Sequence, residues 1–220
     1  MVTYPYPQPL SQAERWAKAS GEGLLALCRE IGVLARFCQN GQPPTYEDRG
    51  LAERLARNPM PRGGLFMSGP VNGHKSHLMA ARCVDAARRG WTAYFLKWGW
   101  FCLEVRDTYK PNSQRSEADI LERYRQFNYL GIDDLGTGRP DRPESEAALR
   151  LAYELFDGRY ERCLTTDVTS NLTPDELAGK FDERIARRIS EMCTTYVMLV
   201  DEPGNPSSDV EYNEELYAPR

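Results

Sequence analysis

From residue 64 onward helical and strand-like stretches alternate, and this constrains the fold more than any other feature of the 220-residue chain. Residues 64–67 read as a short strand, and 75–89 as a helix stopped by Gly90. A strand at 91–98, a helix at 100–109 and a polar loop at 111–115 follow. Ser116 caps a helix over 116–127, and 129–133 is an apolar, buried-type strand. A helix at 144–159, a strand at 163–168, one or two helices within 174–191 and a last strand from 195 to 200 complete the series. Such alternation predicts an α/β fold, a parallel sheet with helices on both faces.

The first sixty residues have the helical period instead. Ser11 and Glu14 make a capping box opening a helix over 13–19. Leu24, Leu27, Cys28, Ile31, Leu34, Ala35 and Cys38 fall at helical spacing, which predicts one helix ended by Asn40 and Gly41. Pro43 and Pro44 mark a linker. Thr45 with Asp48 opens a third helix through Leu51 and Leu55, ended by Asn58 and Pro59. These apolar stripes need a surface, either one another and the main domain or a second protein. The organisation expected is a helical partner-binding region over 1–60, a core over 61–200 and an acidic, flexible tail over 201–220.

Chemistry concentrates at the ends of the strands. Between the first strand and its helix lie Gly69, Pro70, Asn72, Gly73, His74, Lys75, Ser76 and His77. A loop there can hold phosphates on successive N–H groups, with the lysine on the outer phosphates and the hydroxyl on Mg²⁺. Gly69, Lys75 and Ser76 fit the pattern G-x-x-x-x-G-K-[ST], but His74 replaces the second glycine and crowds the loop where backbone approaches phosphate. The alternative is a plain glycine-bearing turn. Asp133 and Asp134 end the 129–133 strand, where one acid can hold Mg²⁺ and the other can polarise a water. Asn171, in the Thr169–Ser170–Asn171 run, follows the next strand, and a polar residue there can orient the attacking water. Arg184, Arg187 and Arg188 come shortly after. Arg187 reads as part of a solvated face, whereas Arg184 and Arg188, four apart on one face, suit charge on a transferring phosphoryl group.

Residues 69–78, 131–136, 169–172 and 182–189, in this order and spacing, resemble the AAA+ domain of the DnaC/IstB family of helicase loaders and transposition helper ATPases. The resemblance implies an AAA+ P-loop NTPase core with little or no lid, binding ATP and Mg²⁺. It puts Lys75 and Ser76 on phosphate and Mg²⁺, Asp133 on Mg²⁺ and Asp134 in the acidic position that activates water. Asn171 takes the sensor-1 place, and Arg188, with Arg184 as second candidate, that of an arginine finger reaching a neighbouring subunit. Residues 98–115 resemble the family's helical insertion, which faces single-stranded DNA, and Arg106, Lys110 and Arg115 are its candidate DNA contacts. Trp98, Trp100, Phe101 and Tyr109 supply aromatic rings in the same stretch, although Trp98 and Phe101 also read as core. The implied partners are a hexameric replicative helicase, single-stranded DNA and further copies of the chain through the ATP site. The alternatives are a transposition helper ATPase and a nucleotide-binding adaptor with little hydrolysis.

Charge does not contradict this. The net charge is −4, and the last twenty residues alone carry six acids against Arg220. The rest is close to neutral, which predicts weak, salt-sensitive DNA binding by one copy, strengthened by multivalency. Six scattered cysteines without a C-x-x-C pair, and only two histidines, argue against a zinc ribbon or disulfide scaffold. Arg29, Glu30 and Arg36 interrupt the longest apolar run, and the first residues lack a signal-peptide pattern, so a cytoplasmic, non-membrane location is expected.

Overall fold

The computed structural model describes residues 9–57, 63–136 and 144–198. The expected acidic tail over 201–220 and the Asn58–Pro59 helix stop lie outside the described residues.

Among the described residues, five strands form one sheet: β1 (Gly64–Ser68), β2 (Ala93–Lys97), β3 (Tyr129–Asp133), β4 (Thr165–Ser170) and β5 (Cys193–Val197). Their order is β2-β3-β4-β1-β5 and every pairing is parallel. Parallel strands need crossovers, and the sequence supplies helices between them. These are α4 (Lys75–Arg88), α5 (Trp98–Asp107), α6 (Glu117–Arg125), α7 (Glu146–Glu161), α8 (Pro174–Lys180) and α9 (Glu183–Met192). Ahead of the sheet come α1 (Pro9–Lys18), α2 (Glu22–Glu30) and α3 (Leu51–Arg57). Side chains alternate across each strand. On β1, Phe66 enters the cluster under α5, α6, α7 and α9, while Leu65 and Met67 enter the one under α4.

The α4 cluster explains the N-terminal helices. Ten residues of α4 are buried, Leu78, Met79, Cys83 and Val84 among them, so the helix must be covered on the side away from the sheet. Trp16, Leu27, Cys28, Ile31, Val33, Phe37 and Leu51 cover it and share its hydrophobic cluster. Of the two destinations open to the apolar stripes, these residues take the main domain. Ile31 also accepts a 2.7 Å bond from Phe95 N–H, tying the segment to edge strand β2.

Several boundaries correct the sequence reading. The single helix expected over 24–38 is two pieces, α2 and a 3₁₀ turn at Ala35–Phe37. Gly32 (φ 77°) ends α2, with Gly32 N–H bonded to Arg29 O at 3.0 Å and Val33 N–H to Cys28 O at 2.9 Å. That pattern is a Schellman stop, which favours glycine because of its left-handed backbone. Asn40 and Gly41 instead form the turn of a small Gln39–Gln42 bridge. Helix α1 starts at Pro9, so Ser11 is inside it rather than its cap; a proline in the first turn loses no helical bond. A 3₁₀ turn at Asp48–Gly50 precedes α3. Helix α5 begins at Trp98 rather than 100, and α7 runs two residues later than expected because Ser145 caps it. Strand β4 likewise begins at Thr165 and β5 at Cys193. The 129–133 strand, the Gly90 stop and the Ser116 cap are as expected; Ser116 and Asp119 form a capping box.

Candidate functional site

The turn after β1 is shaped by close backbone approach. A Cβ on Gly69 (φ 139°) would lie 2.0 Å from Met198 O, so only glycine fits. Three residues on, Asn72 has φ 70°, and His74 has φ 60° at the residue preceding α4. His74 thus adopts the left-handed conformation that glycine would take there, at a cost of roughly 1–2 kcal/mol for an L side chain. The loop keeps its course and the α4 N-terminus faces the cleft.

That cleft has a volume of about 420 Å³. Its walls include Asn72, Gly73 and His74 from the loop, Lys75, Ser76 and His77 from the start of α4, Asp134 beyond β3 and Asn171 beyond β4. The ammonium of Lys75 donates to Gly69 O and Pro70 O at 2.7 Å each, and to Asn171 Oδ1 at 2.9 Å. Burial pulls Lys75 below the usual lysine range, while the charges of Asp134 and Asp133 oppose the shift. Residues 69, 75, 133, 134 and 171, separated by up to 102 positions in the chain, therefore meet at one end of the sheet.

Asp133 is fully buried. Its Oδ1 accepts from Thr169 Oγ1 at 2.8 Å, and its Oδ2 has no hydrogen-bond partner among the described residues. Burial, then the charge of Asp134, raises its pKa, against the hydroxyls of Ser76 and Thr169. A buried carboxylate oxygen left without a donor is a costly arrangement that a bound cation would satisfy. With the Ser76 hydroxyl beside it, this donor set fits a hard divalent cation such as Mg²⁺. Asp134 has a left-handed backbone (φ 61°), and its N–H bonds Thr169 Oγ1 at 3.0 Å. Its carboxylate pairs with Lys97 Nζ at 2.9 Å.

The remaining predicted residues are placed as follows. His77 is buried, with Nε2 3.1 Å from Asp48 Oδ2. Burial alone would raise the Asp48 pKa, but the Thr45 N–H and His77 hold it below the usual carboxylate range. Arg184 and Arg188 lie on α9, bonded to Asp182 and to Asp157 and Glu191 respectively, and neither lines the cleft. Arg187 pairs with Glu191 on an exposed face. Trp98 and Phe101 are core, so the stacking role offered for them is spent on packing. Trp100, Leu103 and Tyr109 are exposed; Lys110 pairs with Asp107, and Arg115 with Glu104.

Five contributors were missed. Lys97 stands opposite Asp133 in the β2–β3 register, so a lysine closing a strand was a usable signal. Thr169 sits within the run that was singled out for Asn171, yet it is the residue that holds both acids. Arg54 of α3 donates to Gly73 O at 3.3 Å, bracing the loop. Arg36 and Phe37 line the cleft from the 3₁₀ turn. Nothing local in the sequence announces the last three residues.

No protein-family model and no curated protein matches the chain. Solved structures do. A DNA replication initiation factor is similar at 16% identity and a TM-score of 0.58, over 72% of this chain and 50% of that one. The DnaC helicase loader is similar at 19% identity and a TM-score of 0.56, over 76% of this chain and 100% of that one. AMPPCP-bound DnaA from Aquifex aeolicus is similar at 18% and 0.54, over 69% and 45%. The chain spans about half the length of the initiation factor and of DnaA. At such identities the likeness is one of fold: a parallel five-stranded α/β core of the type seen in the DnaC helicase loader.

Proposed function

We propose that the chain is an ATP-dependent loader of a hexameric replicative helicase, assembling on single-stranded DNA through its AAA+ core. The observation that carries this reading is the convergence of Lys75, Asp134 and Asn171 on one cleft beside the α4 N-terminus, with Asp133 buried close to Lys75, in a fold shared with the DnaC loader.

Lys75 exchanges the carbonyls of Gly69 and Pro70 for the outer phosphates, and the loop N–H groups hold the inner ones. Ser76 and Asp133 would hold Mg²⁺, which would supply neutralisation of phosphate charge when bound. Asp134 leaves Lys97 and accepts a proton from the attacking water, which Asn171 orients. Arg188 lies outside its own cleft, so on this reading it serves the site of a neighbouring copy, with Arg184 in reserve. Self-association is then part of hydrolysis. A nucleotide-binding adaptor without turnover is the second reading, favoured by the 2.9 Å ion pair that occupies Asp134.

DNA binding falls to the outer face of α5 and the turn after it. Trp100, Leu103 and Arg106 recur every three residues on that face, and Tyr109 and Lys110 follow. Lys110 is held only by an exposed pair, which is easily exchanged for phosphate. In the assembled protein, Trp100→Ala is expected to weaken single-stranded DNA binding about tenfold, the usual scale for losing one stacked base. Arg106→Ala and Lys110→Ala should each lower the slope of log affinity against log salt by about 0.7. Fluorescence anisotropy with a labelled oligonucleotide reads both, and unchanged affinity and slope would remove this surface.

The helicase contact belongs to the solvent side of α1 and α2, since their apolar sides cover α4. The full chain, mixed with a replicative helicase hexamer, is expected to co-elute on size-exclusion chromatography. Separate elution at micromolar concentrations with ATP present would sink the loader assignment.

A further inference from the structure

Arg36 lines the cleft, although neither the loop nor a strand end supplies it. It belongs to the 3₁₀ turn Ala35–Phe37, from the segment that covers α4. Its guanidinium carbon lies 4.8 Å from the centroid of the Phe37 ring. That ring is itself fixed, buried at 6.0 Å from the His77 ring and 5.4 Å from the Phe95 ring. The turn therefore gives Arg36 a firm base.

The guanidinium end is in the open, with the side chain 57% exposed, and Nη2 is 4.0 Å from Asp133 Oδ2. At 4.0 Å the contact is Coulombic rather than a hydrogen bond. Asp133 Oδ2 is the buried oxygen without a donor, so Arg36 compensates its charge without satisfying it. Among the described residues, no hydrogen bond engages the Arg36 guanidinium. Its planar fork of donors makes no hydrogen bond among the described residues and stands beside Asp133, in the cleft that Lys75 also lines.

A nucleoside triphosphate brings more negative charge than Lys75 alone can balance, and guanidinium geometry suits phosphate oxygens. We propose that Arg36 contacts the terminal phosphate of a bound nucleoside triphosphate in cis, leaving Asp133 as it does so. The cleft would then distinguish triphosphate from diphosphate within one chain, before any neighbouring copy contributes an arginine. This rests on the nucleotide reading of the cleft and adds a residue to it.

Calorimetric titration of the full chain with ATP and, separately, with ADP tests the assignment, using wild type, Arg36→Ala, Arg36→Lys and Lys75→Ala. Arg36→Ala is expected to weaken ATP about tenfold and ADP less than about twofold, with Arg36→Lys between. The thermal midpoint should not move, because the side chain is more than half exposed and makes no hydrogen bond among the described residues. Equal loss for both nucleotides would make Arg36 a general cation and overturn the assignment. Tighter ATP binding by Arg36→Ala would overturn it too, since the arginine would then only obstruct Asp133. If wild type and Lys75→Ala bind neither nucleotide, the nucleotide reading itself falls and takes the Arg36 role with it.

Discussion

Lys75→Ala is expected to lower ATP affinity by roughly two to three orders of magnitude while leaving the fold in place. The ammonium makes three bonds of 2.7–2.9 Å, two of them to loop carbonyls that face the cleft. Water can replace the lysine on those carbonyls, so the stability change stays near 1 kcal/mol. Arg36, the other cation that the cleft lining brings near Asp133, belongs to the 3₁₀ turn and does not take the lysine's place on the loop carbonyls. Calorimetry gives the affinity and circular dichroism the fold. An affinity within threefold of wild type would show that this loop is a structural turn. His74→Gly should move the other way, with ATP tightened about threefold, because glycine takes φ 60° freely and removes the side chain from the loop.

The second large effect is on stability. Arg159 is fully buried, and among the described residues no carboxylate hydrogen-bonds its guanidinium. It donates to Thr166 Oγ1 at 2.9 Å and to the carbonyls of Tyr124, Phe127 and Thr165 at 3.0, 2.9 and 2.7 Å. One side chain thereby fastens the end of α6, the start of β4 and its own helix α7. Burial pulls its pKa down to about 9, still above neutral, so it remains a cation at pH 7. Arg159→Ala leaves several buried acceptors without donors and should cost roughly 3–5 kcal/mol. Lysine carries its donors on one atom and cannot span the same carbonyls, so Arg159→Lys should recover less than half of that. Urea unfolding followed by fluorescence measures both, and a loss below about 1 kcal/mol for Arg159→Ala would contradict the account.

These two residues also mark what a sequence discloses. Lys75 is legible because its role is local, set by a loop between a strand and a helix. The 129–133 strand, Gly90 and Ser116 are legible for the same reason, being fixed by apolar runs, backbone freedom and capping chemistry within a few positions. Arg159 looks like an ordinary basic residue near a helix end, because the carbonyls that need it lie up to 35 positions away in the chain. Arg36 and Lys97 are hidden in the same way, meeting Asp133 and Asp134 only once the sheet has formed. The helix misread across Gly32 has a different cause. The helical spacing continues past the glycine through Leu34, Ala35 and Cys38, but the backbone has left the helix there, and Val33 and Phe37 are the residues buried in the cluster with α4.

The covering of α4 changes how the N-terminal segment works. Its apolar residues complete the core, Arg54 braces the loop and Arg36 enters the cleft. A partner that grips the outside of α1 and α2 would therefore pull on a segment in direct contact with the cleft. Under the proposed function, this would be a mechanical route between helicase contact and hydrolysis.

The most direct test of the central claim is phosphate release from Mg·ATP by the full chain, followed over a range of protein concentrations with and without single-stranded DNA. The account predicts that turnover per chain rises with concentration, because Arg188 acts on a neighbour, rises further with DNA, and disappears in Lys75→Ala. Absence of phosphate release at every concentration, or release that survives Lys75→Ala, would contradict it.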